Sequence, residues 1–81
     1  MPKVEIYTSM MCQYCSRAIR LLQSKNISFE QIDVSASYAD RQTMRNRANG
    51  RTAVPQIFIN DEHIGGCDDL MALEFTGNLD A

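Results

Sequence analysis

Of the three cysteines in this 81-residue chain, two stand in the run Cys12-Gln13-Tyr14-Cys15. Two thiols three positions apart on one emerging helical turn can close reversibly into a disulfide, and an exposed member of such a pair can exchange with a foreign disulfide. Val4-Glu5-Ile6-Tyr7-Thr8 reads as a strand, Ser9-Met10-Met11 as a loop, and Arg17 to Lys25 as an amphipathic helix, so Cys12 falls at a helix N-terminus. The unpaired N–H groups and positive dipole end there favour an anion, and hence the thiolate of Cys12. Arg17 and Arg20 add to that positive field. Cys15, with Ala18, Ile19 and Leu22 at helical spacings from it, faces inward beneath Cys12, which suits a resolving thiol.

The elements that must hold this pair follow a strand, helix, strand, helix, strand, strand, helix order. Ser28 to Val34 forms the second strand and offers Phe29 and Ile32 as apolar surface. Ser37-Tyr38-Ala39-Asp40 resembles a capping box with Asp in the acidic place, and the polar helix it opens ends at Asn49-Gly50. Gln56 to Ile59 and Glu62 to Ile64 are strands joined by a tight Asn60-Asp61 turn, and Leu70, Met71, Leu73 and Phe75 supply a last helix. This order implies an α/β chain with a mixed sheet and helices on both faces.

With 81 residues and a 44% apolar fraction, the chain makes one domain over residues 1–81, with no room for a separate cofactor domain. No apolar run approaches the roughly 20 residues that span a bilayer, and no charged-then-apolar leader precedes the first strand. An odd cysteine count lacks the even framework of a small secreted domain, so a reducing cytoplasm is the expected compartment and the pair is catalytic. The net charge of −2 hides an asymmetry: residues 1–51 carry +4 and residues 52–81 carry −6. Arg41, Arg45, Arg47 and Arg51 lack the aromatic interleaving of a nucleic-acid surface and read as a solvated helix face, so no nucleic-acid partner is expected.

Two further segments flank the pair in such a fold. Thr52-Ala53-Val54-Pro55 precedes the third strand, and its local sequence alone reads as a trans proline at a strand start. Gly65-Gly66-Cys67-Asp68-Asp69 lies between the last strand and last helix, where glycines and helix-start N–H groups form a nest for a carboxylate; Asp68 as a plain N-cap is the simpler reading. Cys67 reads as a small, partly buried residue, His63 as an exposed strand residue, and Met10 and Met11 as loop packing. A zinc site from Cys12, Cys15, His63 and Cys67 would need these segments to converge tetrahedrally and is set aside, so no metal ligands are assigned.

Taken together, Val4 to Thr8, Cys12 with Tyr14-Cys15, Arg51-Thr52 with Val54 to Ile59, and Gly65 to Leu70 resemble the dithiol glutaredoxins, of the small bacterial class, over essentially the whole chain. The resemblance implies a thioredoxin-like fold, a four-stranded mixed sheet with three helices on both faces in the order βαβαββα. It implies a glutathione-dependent thiol-disulfide oxidoreductase that acts on protein disulfides and glutathione mixed disulfides. Cys12 is then the nucleophile, left as a mixed disulfide with glutathione, and Cys15 resolves mixed disulfides. The proline matching Pro55 is cis in the family, and the backbone of the residue matching Val54 pairs with the cysteinyl unit of glutathione. Cys67 and Asp68 match positions that hold the γ-glutamyl end, Gln42 falls near the glycyl carboxylate with Arg41 as its neighbour, and Tyr14 lines the groove. Glutathione is the expected co-substrate and disulfide-bearing proteins, ribonucleotide reductase among them, the expected clients of a monomer.

Three departures from the family pattern bear on this. Gln13 replaces the usual proline between the cysteines, which alters the balance of disulfide and dithiol; members without that proline sometimes share a [2Fe-2S] cluster between two subunits, ligated by the nucleophilic cysteine and glutathione. Ser9 stands where a lysine commonly assists, and Ala53 where a threonine usually precedes Val-Pro; the lost cation is expected to weaken glutathione binding by on the order of 1 kcal/mol or less. The alternatives to the oxidoreductase reading are therefore a cluster-binding dimer and a redoxin served by thioredoxin reductase.

Overall fold

The computed structural model describes residues 2–77 and 79. Seven elements follow in chain order: β1 Val4–Thr8, α1 Gln13–Ser24, β2 Glu30–Asp33, α2 Tyr38–Arg47, β3 Gln56–Ile59, β4 Glu62–Gly65 and α3 Cys67–Phe75. The strands form one sheet in the order β2-β1-β3-β4. β1 runs parallel to β2 and antiparallel to β3, which pairs antiparallel with β4, so the sheet is mixed as expected. The second strand is shorter than the sequence suggests, because residues 28, 29 and 34 remain outside the ladder.

The period-two alternation of β1 and β3 divides the core between the two faces of the sheet. Val4, Ile6 and Ile57 join Ala18 and Leu22 of α1 and Leu70 of α3 on one face. Tyr7 and Phe58 join Val34, Met44 and Ala48 beneath α2 on the other. The α1 burial of Cys15, Ala18 and Leu22 follows the expected inward stripe. Phe75, counted among the apolar residues of the last helix, instead points outward at 93% exposure; it is the terminal residue of α3 and lies past the region where the helix meets the core.

Local signals account for the boundaries. Ser37 caps α2 by accepting the Asp40 N–H at 3.1 Å. Asn49 and Gly50 both adopt positive φ after α2, the conformation that stops a helix. Asn60 and Asp61 have φ of 52° and 68°, the two left-handed residues of a type I′ hairpin turn. On β4, Ile64 is an extra residue between the Phe58–His63 and Ile57–Gly65 pairs, a bulge that turns the end of the strand toward α3.

The polar helix α2 departs from a plain solvated face at Arg47. Its guanidinium reaches over the sheet, donating to both carboxylate oxygens of Glu5 at 3.2 and 2.8 Å and to the Tyr7 hydroxyl at 2.9 Å. It also lies 4.1 Å from the centroid of the Phe58 ring, a cation–π contact. Glu5 is nearly buried, and its carboxyl is held below the ordinary carboxylate range by the Arg47 hydrogen bonds, against the opposing effect of burial.

Candidate active site

The parallel pairing of β1 with β2 and the short loop after Thr8 bring the start of α1 to one end of the sheet. Cys12 is the N-cap of α1, with extended backbone, and its Sγ accepts the Cys15 N–H at 3.1 Å. An N–H and the positive end of the helix thus both face this sulfur. The Cys12 thiol also reaches the Val54 carbonyl, Sγ to oxygen 3.9 Å, which ties the pair to the loop before β3. Cys15 lies beneath at 3% exposure. Burial above all, and then the hydrogen bond and charge of Cys12, push its thiol up to about 12, so Cys15 holds its proton at neutral pH while Cys12 is free.

The Val54–Pro55 peptide is cis, against the trans form that local sequence favours and in accord with the resemblance. Beside it runs a groove of about 180 Å³ lined by Tyr14, Arg51, Val54, Pro55, Cys67 and Asp68, together with Ala53, Gln56, Gly66 and Asp69. The start of α3 forms its far wall and approaches so closely that a Cβ on Gly66 would stand 3.4 Å from the Pro55 carbonyl oxygen. Gly65, at φ +122°, has no room for a side chain, since a Cβ would run into the Asp69 carboxylate. That carboxylate accepts the Gly66 N–H at 3.0 Å, so Asp69 caps α3 rather than Asp68, whose side chain is left to face the groove.

Six of the eight residues expected at the site, Tyr14, Val54, Pro55, Cys67 and Asp68 with Cys12 through Val54, therefore converge on this groove. Cys15 lines not this groove but a second depression beside Cys12. Gln42 is not part of the lining: it is half-buried on α2 and donates to the Tyr38 hydroxyl one turn earlier. Arg51 brings a cation to the groove that sequence reading left among the solvated arginines; its place immediately before Thr52-Ala53-Val54-Pro55 is the signal that could have found it. Cys67 is buried, and burial, then the Asp68 carboxylate, push its thiol up, with Arg17 opposing.

Two other expectations give way. Met10 and Met11 do not pack; they stand out at 74% and 99% exposure because Met11, at φ 57°, turns the short loop away from the sheet. His63 is half-buried, not exposed, with its ring 5.0 Å from that of Phe58 and its Nε2 2.6 Å from Gln56 Oε1. The second depression, of about 350 Å³ beside Cys12, is lined by uncharged residues, including Thr8, Ser9, Gln13, Ser16 and Gln31. Among the described residues no three His, Cys, Asp or Glu side chains converge as a metal site.

Residues 4–64 match the family model described as glutaredoxin. The chain is 54% identical over 80 residues to glutaredoxin 3 of Escherichia coli strain K12, covering 99% of this chain and 95% of that protein. The solution structure of glutaredoxin from Brucella melitensis superposes with a TM-score of 0.83 at 51% identity, over 96% of this chain and 84% of that one. A buckwheat glutaredoxin–glutathione complex superposes with a TM-score of 0.84 at 28% identity, over 94% and 71%. On this family-model match, this identity over nearly the whole chain and this shared fold, the chain belongs to the glutaredoxin family of thiol-disulfide oxidoreductases.

Proposed function

We propose that the groove takes glutathione and that the dithiol uses it to reduce disulfides of client proteins and glutathione mixed disulfides. The observation that carries this is the tie between Cys12 and Val54, which puts the outer thiol at the edge of a groove bearing both signs of charge. Glutathione has two carboxylates and an ammonium. Arg51 and the N–H groups at the start of α3 answer the carboxylates, and Asp68 answers the ammonium. The Val54 backbone offers the cysteinyl unit a one-residue strand addition, and Tyr14 covers it. Gln42 joins the glycyl carboxylate only by releasing Tyr38. The buckwheat relative's complex with glutathione supports this ligand class.

The exchange then runs in balanced steps. The Cys12 thiolate attacks one sulfur of a client disulfide, and the other sulfur leaves as a thiolate that takes up a proton. Cys15 loses its proton and attacks the Cys12 sulfur, releasing the reduced client and leaving the Cys12–Cys15 disulfide. Two glutathione thiols restore the dithiol and depart as glutathione disulfide. For a glutathione mixed disulfide, Cys12 alone suffices. Among the described residues no helix is long and apolar enough to cross a membrane. Because an odd cysteine count suits a catalytic pair better than a structural framework, we place the activity in a reducing cytoplasm and assign it to a monomer.

A coupled assay that follows NADPH oxidation through glutathione reductase tests this. Cys12→Ser abolishes activity on every substrate. Cys15→Ser keeps most activity on a small glutathione mixed disulfide and loses that on protein disulfides. Wild-type protein that turns over only with thioredoxin reductase would overturn the glutathione reading.

A further inference from the structure

The loop that forms the groove's backbone edge is held from behind by side chains outside the dithiol. Gln56, the first residue of β3, is fully buried, and its amide nitrogen donates to the Ala53 carbonyl at 2.9 Å. Its amide oxygen lies 2.6 Å from His63 Nε2 on β4. The direction of this chain is fixed by its one invariant member. A backbone carbonyl can only accept, so Gln56 must turn its NH₂ to Ala53 and its oxygen to His63, and His63 must carry a proton on Nε2. The His63 ring packs on that of Phe58, tilted by 31° at a centroid distance of 5.0 Å. Burial, and then the facing Arg51 guanidinium, hold the ring below its ordinary range, against the pull of the Asp69 carboxylate. A second proton on Nδ1 would leave the Nε2–H in place.

We propose that His63 is a positioning residue for the glutathione groove: through Gln56 it fixes the Ala53 carbonyl and so the orientation of the Val54 backbone that the ligand pairs with. The inference rests on the groove reading given above. Its logic is that of a buried amide, which is costly to leave half-satisfied. Without His63, the Gln56 oxygen has no donor in a fully buried site, so the side chain turns and lets the Ala53 carbonyl go. Ala53 has no polar side chain with which to hold itself, and the Cys12 thiol reaches only the next carbonyl.

The test is steady-state kinetics on a small glutathione mixed disulfide with His63→Leu, His63→Asn, His63→Gln, Gln56→Leu and the His63→Leu/Gln56→Leu pair. His63→Leu and His63→Asn, whose amide falls a bond short, raise KM about fivefold with kcat within about twofold, and His63→Gln, whose amide nitrogen stands where Nε2 does, returns KM toward wild type. The double variant is no worse than Gln56→Leu alone, because both act on Ala53 through one chain. Should His63→Leu not fold, His63→Asn reads the same contact. Unchanged KM in the His63 variants, with a raised KM in Asp68→Asn, would overturn the positioning role alone. Unchanged KM in Asp68→Asn as well would overturn the groove reading and the positioning role with it.

Discussion

Cys12 and Cys15 share one helical turn and have opposite surroundings, and that contrast follows from the helix alone. The residue at the cap faces solvent and N–H donors, while the residue three positions on faces Ala18 and Leu22. This much is legible in the sequence; the gathering of Tyr14, Val54, Pro55, Cys67 and Asp68 is legible as what the family resemblance implies, the order of elements alone placing no more than their segments beside the pair. Gln42 is not legible in the same way: that its amide already has a partner in Tyr38 depends on rotamers one turn apart, which spacing allows and does not require. Asp69 and Gly65 show the same limit. Only the structure reveals that the Asp69 carboxylate fills the space where a Gly65 side chain would go. Gly65→Ala therefore both strains a residue at φ +122° and displaces the α3 cap. The expected loss is about 2 kcal/mol by urea denaturation, with a raised KM for the glutathione mixed disulfide; unaltered stability would show that Asp69 moves aside freely.

At the scale of elements, α2 was the least informative stretch in sequence and carries the most specific tertiary contact. Its arginines look alike on a polar helix, and only the sheet distinguishes Arg47, because Glu5 and Tyr7 lie some forty residues away in sequence. The clasp fastens α2 across β1 and over Phe58 on β3, so Arg47→Met leaves a nearly buried carboxylate without its partner. The expected cost is about 2 kcal/mol, or roughly 10 °C in Tm for a domain of this size. The pH dependence has a definite sign. Folding lowers the Glu5 carboxyl below its ordinary 4.5, so the clasp contributes fully above that value and is lost as pH falls through the folded value. Acid unfolding of the wild type and of Arg47→Met should therefore converge toward low pH; parallel curves throughout would remove the ion pair from the acid response.

Over the whole molecule, one sheet serves two apolar clusters, and β1 and β3 contribute alternate residues to each. Neither cluster can come apart without exposing the other face of the same strands. Leu22→Ala on one face and Met44→Ala on the other are each expected to cost about 3 kcal/mol, and each should leave a single transition in which circular dichroism and fluorescence coincide. Separate transitions would mean that the sheet does not couple its faces. The placing of Cys15 under Cys12 has a consequence of another kind. While the outer sulfur is free, its hydrogen bond and its charge help to keep the inner proton in place. Once that sulfur is bonded to a captured client, both influences vanish, leaving burial and Cys67 to hold the proton. The stacked pair is thus an escapement: the arrival of the first guest releases the second stroke, and an idle molecule does not tick.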